Sequence, residues 1–360
     1  MATNLYVLNQ SFDIVGIVDD FESLIWRPSY SEVGDFELYL GASKKLMTLL
    51  TLNRYLVRST DVSIENGVTT YEKVMIIKNI ELTTDVENGD HLTITGRELK
   101  YLLHQRIVWT QTNLTGRAEA GIRALVTQNA ISPSDNKRVI PNLVLGAGAG
   151  LLDTIEKQVT GAYLDEAIVE ICIAYNYGWD IFITNGQLVF VVYTGVDRSF
   201  DQTDRPYVVF SDSFENLYST DYQLQTEQYA NCTLIGGEGE GVERIYNAVG
   251  TTNTGLSRFE TFTDARNISQ NKDSEDEIPL STYLTLLLEK GKENLASLQY
   301  TEGFSGEVLS DVAFKYGVDF YLGDIVTVIN SYGISKNVRI LSAIESEDET
   351  GVKLIPQFNI

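Results

Sequence analysis

The sequence predicts an α+β fold that is rich in strands and divided into three parts. Three observations support this prediction. Short runs of β-branched and aromatic residues cover most of the chain, glycine and asparagine turn signals separate the runs, and only a few segments place apolar residues at helical spacing. The chain has 360 residues, of which 43% are hydrophobic, and only 6 prolines. The parts, predicted as residues 1–110, 111–205 and 206–360, are therefore expected to pack on one another.

The first part, residues 1–110, is predicted to be a β-barrel or sandwich because its short strands follow one another closely. Turn signals at Asn9-Gln10, at Glu65-Asn66-Gly67 and at Glu87-Asn88-Gly89-Asp90 separate them. A short helix from Arg97 to His104 is expected to close this part. The predicted strands cover residues 5–9, 12–18, 21–28, 34–40, 54–60, 71–82 and 91–96.

The second part, residues 111–205, is predicted to be a small α+β domain inserted between two strand-rich parts. Apolar residues at helical spacing between Ala118 and Val126 predict one helix. A second helix is predicted from Leu152 to Asn176, with a break at Thr160-Gly161. The dipeptide Asn185-Gly186 predicts a hairpin that joins residues 179–184 to residues 187–192.

The third part, residues 206–360, is predicted to be β-rich with one helix at about 280–298. Leucines at helical spacing indicate that helix. The acidic stretch Gln270–Glu277 is expected to be an exposed loop before it. The last predicted strands cover residues 303–310, 324–330, 337–346 and 352–358.

The charge of the chain disfavours stable binding to nucleic acid or to an anionic membrane. The chain carries 50 acidic and 27 basic residues, a net charge of -23. Both kinds of surface attract lysine and arginine, which are scarce here. Residues 206–360 hold 24 of the acidic residues and 10 of the basic ones. This acidic excess predicts a solvated surface, since a net charge far from zero keeps a protein dispersed.

No pattern of residues assigns a catalytic, cofactor-binding or metal-binding role. The only histidines, His91 and His104, lie outside any recognisable motif and are expected to be structural. The only cysteines, Cys172 and Cys232, show no metal-ligand or disulfide spacing, and Cys172 is expected to be a small buried apolar residue. We therefore predict a protein that is not an enzyme, uses no cofactor and folds in a reducing cytoplasm. The first residues do not resemble a signal peptide.

Two glycine-rich stretches resemble phosphate-binding loops only superficially. In Gly146–Gly150 the third glycine comes one position too early for a dinucleotide-binding turn, so a flexible connection into a helix is expected. In Gly236–Gly241 two glutamates stand among the glycines and would repel a phosphate. A tight turn between strands is the expected structure there, and its open backbone suggests contact with a neighbouring subunit as a hypothesis.

Four segments, in this order, resemble the tail-hub proteins of siphophages and prophages from Gram-positive hosts. The relatives include the tail-associated (Tal) N-terminal modules and prophage minor structural proteins. The segments are Phe21–Leu38, Arg138–Leu143, Gly236–Arg244 and Tyr321–Val328, and together they span nearly the whole chain.

The resemblance implies a fold similar to the baseplate hub of contractile-tailed phages. In that fold two β-barrel domains per subunit form a trimeric ring of pseudo-sixfold symmetry, and smaller domains pack outside. The implied partners are two further copies of the chain, the distal tail adaptor ring, the tape-measure protein and the tail tube, with receptor-binding or fibre proteins beyond them. DNA would only pass through the lumen, where acidic residues of the 206–360 part would repel its phosphates if they face inward; a solvated outer surface is the competing interpretation of that acidity. The implied location is the tail tip of a virion made in the bacterial host cytoplasm.

Three alternative functions stay open at this point. The 20 tyrosines and 3 tryptophans could stack on sugars in a receptor- or glycan-binding tail protein, although Trp26, Trp109 and Trp179 stand in apolar surroundings and are expected in cores. A cell-wall hydrolase is a second alternative, disfavoured by the missing motifs. A hexameric ring, such as the distal tail adaptor, is the third.

Overall fold

The computed structural model describes residues 3–87, 89–272, 277–308 and 313–359 of the chain. Within these ranges the chain forms mostly strands, with four α-helices between them. The predicted β-rich α+β class is confirmed.

The N-terminal part consists of the predicted hairpins and one additional hairpin. The predicted turn at Asn9 forms, and its side-chain oxygen accepts the N–H groups of Ser11 and Asp13. A 3-10 helix from Leu99 to Gln105 follows the last strand, where a short helix was predicted. The elements are β1 (Leu5–Leu8), β2 (Ile14–Val18), β3 (Ser23–Arg27), β4 (Asp35–Gly41), α1 (Lys44–Leu49), β5 (Tyr55–Arg58), β6 (Val62–Glu65), β7 (Val68–Tyr71), β8 (Met75–Thr83) and β9 (His91–Glu98).

The middle part mixes strands and helices. The predicted first helix is confirmed, and the residues Asn185 and Gly186 both have positive φ angles, as their hairpin turn requires. The elements are β10 (Thr112–Arg117), α2 (Ala118–Val126), β11 (Leu143–Leu145), β12 (Thr154–Val159), α3 (Leu164–Tyr175), β13 (Gly178–Thr184) and β14 (Gln187–Tyr193).

The long helix predicted from Leu152 to Asn176 is wrong in its first half. Residues Thr154–Val159 form a strand that pairs with β10, and the helix begins only at Leu164. Ile155, Lys157 and Val159 alternate along this strand and are buried, which is the two-residue period of a strand. The positive φ of Gly161 then turns the chain into α3.

The C-terminal part returns to strands around one long helix, which is confirmed within a residue of its predicted bounds. Residues 273–276 of the predicted acidic loop, the turn residue Asn88 and residues 309–310 of a predicted strand lie outside the described residues. The elements are β15 (Val209–Ser211), β16 (Leu217–Gln225), β17 (Cys232–Gly236), β18 (Tyr246–Val249), β19 (Glu260–Asp264), α4 (Leu280–Ser297), β20 (Thr301–Val308), β21 (Ile325–Ile329), β22 (Ser335–Asp348) and β23 (Gly351–Asn359).

One 13-stranded sheet joins the two ends of the chain. Strand β22 pairs antiparallel with β3, so that Glu345 lies opposite Trp26. Along the sheet the order is β16-β20-β23-β22-β3-β4-β9-β8-β5-β1-β2, and β21 joins β15 to β22. Three smaller sheets contain β10-β12, β11-β14-β13-β7-β6 and β18-β17-β19. The resemblance implied two separate β-barrels, but in the described ranges the strands of both ends share this sheet and close no barrel.

Buried apolar side chains form four clusters. The largest contains Trp179 and surrounds α2 and α3, and a second contains Trp26 and lies within the N-terminal strands. A third fills the C-terminal strands around Phe210, and a small fourth packs beneath α4. Tyr30 belongs to the third cluster although it comes from the loop between β3 and β4. The N-terminal and C-terminal parts therefore share a core, and the boundaries at 110 and 205 stay a prediction.

Candidate functional site

The loop between β3 and β4, residues 28–34, contributes to two of the large clusters, through Tyr30 and Val33, and we call it the junction loop. Tyr30 at its centre is fully buried. Its hydroxyl donates to the carbonyl of Asn176 at 2.8 Å and accepts the N–H of Gly195 at 3.2 Å. Its backbone N–H donates to the carbonyl of Leu341 at 2.7 Å. One residue of the N-terminal part thus bonds to both of the other parts.

Two glycines make room for the Tyr30 ring. A Cβ atom on Gly178, or one on Gly323, would stand 2.2 Å from a ring carbon. Gly323 also has a φ of +86°, a left-handed backbone conformation that favours glycine whatever space surrounds it. The middle and C-terminal backbones therefore both approach the Cε2 edge of one aromatic ring, and side chains at these positions would displace it.

Polar contacts fix the rest of the junction loop. The Ser31 hydroxyl donates to the carbonyl of Tyr177 at 2.7 Å, and the Trp179 indole N–H donates to the carbonyl of Ser31 at 2.7 Å. The buried Lys100 ammonium donates to the carbonyl of Glu32 at 2.9 Å and pairs with the Glu98 carboxylate at 3.2 Å. Because these groups bond to backbone atoms, the shape of the loop is set by its surroundings.

A second carboxyl group, that of Asp180, lies close to the Glu98–Lys100 pair. Burial and the charge of Glu98 raise the pKa of Asp180 from 3.8 to about 7, although Lys100 acts in the opposite direction. The folded chain therefore holds this proton more tightly than the unfolded chain does.

This raised pKa predicts that the folded chain loses stability as pH rises. The contribution of Asp180 is fully present below about pH 4 and is lost as pH approaches and passes the folded pKa of about 7. Urea unfolding measured from pH 5 to pH 8 should show this loss, and the variant Asp180→Asn should lose less stability over the same range. An equal loss in the variant would contradict the assignment to Asp180.

A buried carboxylate fixes the segment that enters the C-terminal part. Asp324 accepts the N–H of Val196 at 2.7 Å and that of Tyr321 at 3.0 Å, and pairs with the Arg198 guanidinium at 2.8 Å. Beside it, a Cβ on Gly195 would stand 1.9 Å from the backbone of Gly323. The chain crosses itself closely here, which explains a glycine and an aspartate in the Tyr321–Val328 segment.

A buried ion pair joins the two ends of the chain at the sheet. The Arg58 guanidinium contacts Asp61 at 2.6 Å and Glu345 of β22 at 2.8 Å. Lys73 lies 3.7 Å from Asp61 and over the ring of Tyr316, at 4.3 Å. These contacts hold β22 against the N-terminal strands next to the β3–β22 pairing.

A groove of about 830 Å³ opens beside the junction loop, between α3, α4 and the edge strand β16. Polar and charged side chains line much of it, among them Arg27, Asp221, Lys292 and Gln299. Neither histidine and neither cysteine lines it. Its described walls therefore offer surface for a polar chain segment but no nucleophile paired with a base.

Both histidines have structural partners. His91 contacts the Glu22 carboxylate at 3.0 Å and stacks on Tyr39. His104 contacts the Asp165 carboxylate at 3.0 Å and lies between the rings of Tyr101 and Tyr163. Among the residues that the structure describes, no group of histidine, cysteine, aspartate and glutamate is arranged to hold a metal ion.

The two cysteines are buried and unpaired. Burial raises the pKa of the Cys172 thiol far above its usual range, so this side chain behaves as the small apolar residue that the sequence predicted.

In the first glycine-rich stretch, Gly146–Gly150, a carboxylate of the chain itself takes the position that a phosphate would occupy. The buried Glu119 side chain accepts the N–H groups of Ala149 and Leu151 at 2.8 and 2.9 Å. The stretch then leads into strand β12, so the expected connection directly into a helix is wrong, and the helix follows only after that strand. Its N–H groups are directed at an anion, but that anion belongs to α2.

The second stretch is a tight turn between β17 and β18, as predicted. The guanidinium of Arg244 donates to the carbonyls of Gly236 and Gly237 at 2.8 and 3.1 Å. Gly237 packs against Tyr283 of α4, where a Cβ would stand 2.4 Å from the tyrosine hydroxyl. These two glycines therefore serve packing within one chain, and neither is free to contact a second subunit.

Trp109 does not lie in a core, so that expectation is wrong. Trp26 and Trp179 are fully buried, whereas 66% of Trp109 is exposed. The polar residues Thr110-Gln111-Thr112 directly after it were the sequence signal that could have predicted its exposure. The Arg138 guanidinium lies over its ring, 4.8 Å from the ring centre.

No helix in the described ranges is both long and apolar enough to cross a membrane.

Tyr30, Gly323 and Asp324 lie in segments that carry the family resemblance, but sequence reasoning gave none of them a role. Gly178 lies outside those segments, and nothing in its sequence surroundings distinguishes it. The contacts of these residues join parts of the chain that are distant in sequence.

The model of one protein family, described as Siphovirus ReqiPepy6 Gp37-like protein, matches residues 4–358. A search of curated proteins found no significant match. Among solved structures, a tail protein from Neisseria meningitidis MC58 superposes with a TM-score of 0.61 at 13% identity, over 100% of this chain and 97% of that one. The 43 kDa tail protein of prophage MuSo2 from Shewanella oneidensis superposes with a TM-score of 0.57 at 10% identity, over 99% and 98% of the chains. At these identities the superpositions show a shared fold.

Proposed function

This chain belongs to the siphovirus ReqiPepy6 Gp37-like family of phage tail proteins, and from that premise we propose that it is the structural hub at the distal end of the tail. In this proposal three copies form a ring that continues or closes the tail tube and supports the baseplate or tip. The chain is made in the bacterial cytoplasm and ends in the virion tail tip. It performs no catalysis.

The junction loop is the observation that carries this proposal. A ring subunit must keep its parts in one fixed arrangement, because contacts with its neighbours depend on all of them. Tyr30 bonds to the middle part and packs in the C-terminal core, and β3 pairs with β22. A close-packed shared core resists relative motion of the parts. This arrangement suits a rigid scaffold better than an enzyme that opens and closes.

The proposed partners follow from the place of such a hub in a tail. They are two more copies of the chain, the distal tail adaptor ring, the tape-measure protein and the tail tube, with receptor-binding or fibre proteins outside. DNA passes through the lumen without being bound. The net charge of -23 supports that last point, because acidic side chains facing the lumen would repel phosphates within about 8 Å at physiological salt.

The symmetry of the chain in a tail particle tests the proposal. Cryo-electron microscopy of the particle is expected to show three copies at the distal end of the tube around an acidic lumen. Six copies would contradict the hub and favour an adaptor ring. A neutral or basic lumen would be compatible with the hub function but would contradict the acidic lining of the channel.

One observation favours a second candidate function, glycan binding. The exposed indole of Trp109 is a suitable stacking surface for a sugar. If the isolated protein binds host cell-wall polysaccharide and the variant Trp109→Ala does not, the chain is a receptor-binding tail protein. Digestion of purified cell wall by the protein would instead identify it as a hydrolase.

A further inference from the structure

Cationic and aromatic side chains surround a small cavity on the middle part. This basic aromatic patch consists of Arg106, Trp109, Lys137, Arg138 and Tyr163, which line a cavity of about 210 Å³. Trp109 and Tyr163 are 66% and 45% exposed. Tryptophan, tyrosine and arginine are the residues most enriched at the energetic centres of protein interfaces.

The two guanidinium groups of the patch are held in place without a carboxylate. Arg106 donates to the carbonyls of Arg138 and Gln105, at 2.5 and 2.9 Å, and Arg138 donates to the carbonyl of Ile107 at 2.6 Å. Neither forms an ion pair within the part of the chain that the structure describes, and the nearby Asp165 carboxylate faces His104. In a chain of net charge -23, this is a fixed positive surface.

The glycine-rich turn between β17 and β18 presents a surface of opposite character. We call Glu240, Val242 and Glu243 the loop tip. Val242 is 99% exposed, and both glutamates are exposed as well. Below the tip, Arg244 donates to two glycine carbonyls and pairs with Asp264 at 2.7 Å, and Gly237 packs against α4. The turn is thus anchored at its base and offers an apolar side chain between two carboxylates.

We propose that the loop tip of one copy docks on the basic aromatic patch of a second copy. Val242 enters the cavity beside Trp109, and the glutamates face Arg106 and Arg138. Copies that each carry a charge of -23 repel one another, so assembly needs local contacts of opposite sign. Because the two surfaces differ, the contact is head-to-tail, the type that generates rings. This inference rests on the proposed hub function and assigns a contact to it.

Cysteine cross-linking between two populations tests the contact directly. The natural cysteines are buried, so Lys137→Cys at the rim of the cavity in one population and Val242→Cys in the other supply the accessible thiols and leave Trp109 in place. After mixing and mild oxidation, a disulfide-linked dimer is expected to form. Leu256→Cys replaces Val242→Cys in the control, because Leu256 is 100% exposed in another loop. Cross-linking no faster than in this control would overturn the proposal.

Charge reversal at the loop tip is a second test of the contact. It replaces only exposed side chains, so the buried core is unchanged. The variant Glu240→Lys/Glu243→Lys is expected to weaken self-association about tenfold or more in sedimentation. The matched variant Glu65→Lys/Glu87→Lys, at exposed sites elsewhere, is expected to behave like the wild type. A self-associated species that survives the first variant unchanged would overturn the docking and leave the hub intact.

Two other outcomes also overturn the docking. One is a wild-type chain that stays monomeric at every concentration and forms no cross-link. The other is an anionic wall polysaccharide that quenches Trp109 fluorescence while no cross-link forms, which would assign the patch to a glycan. The hub function itself is decided separately, by the symmetry of the chain in the tail particle.

Discussion

Replacing Tyr30 by alanine is expected to lower the free energy of unfolding by about 4 kcal/mol, the cost of deleting a fully buried aromatic ring. The loss should be large because the ring fills the space between Gly178 and Gly323 and belongs to the C-terminal core. The hydroxyl also bonds to Asn176 and Gly195. Urea unfolding followed by circular dichroism measures the change.

The variant Tyr30→Phe separates the ring from its hydroxyl. It keeps the packing and removes two hydrogen bonds, so a loss of about 1 to 2 kcal/mol is expected. If Tyr30→Ala and Tyr30→Phe were equally stable, the ring would contribute nothing to the junction. A second unfolding transition in Tyr30→Ala alone would show that the parts separate when the ring is removed.

Replacing Arg58 by alanine is expected to cost about 3 kcal/mol of stability, because it removes the nearest cation from the buried carboxylate of Asp61 and the partly buried carboxylate of Glu345. Lys73 is then the only cation left near Asp61, at 3.7 Å, among the described residues. Arg58 is 5% exposed and contacts both Asp61 and Glu345. Burial works against the charged guanidinium, but these two carboxylates more than offset it and raise the pKa of Arg58. The arginine therefore stays charged, and its removal exposes the carboxylates to mutual repulsion. Thermal unfolding of the purified variant measures the loss.

The exposed ion pair of Arg266 with Asp264 is the control for Arg58. The Arg266 side chain is 62% exposed, so Arg266→Ala is expected to unfold at the wild-type temperature. Equal effects of the two substitutions would mean that burial does not determine the strength of the Arg58 contacts. Glu345→Gln should be milder than Arg58→Ala, because it leaves Arg58 paired with Asp61.

Local structure could be predicted from the sequence because its causes lie within a few residues. The turn at Asn185-Gly186 depends on two residues that adopt positive φ readily. Helix α4 depends on apolar spacing within its own length. The strand Thr154–Val159 was missed because its apolar residues also fit a helical period and continue into a real helix.

The candidate site could not be predicted in the same way, because its contacts are not local. No pattern near Tyr30 distinguishes it from the other tyrosines, and its partners Asn176 and Leu341 are far along the chain. The exposure of Trp109 likewise depends on what the fold leaves uncovered. Only the resemblance to tail-hub proteins pointed to the segments that meet at the junction loop, and it did so without assigning their contacts.

The pairing of β3 with β22 also dictates when the subunit can be completed during synthesis. Ser29 and its bonding partner Leu341 lie 312 positions apart. At synthesis rates of roughly 5 to 20 residues per second, the ribosome needs about 15 to 60 s to make the chain between them. During that time Tyr30 and the edge of β3 have no C-terminal partner. A chain released early therefore keeps an uncovered strand edge, which is a ready template for pairing with another chain.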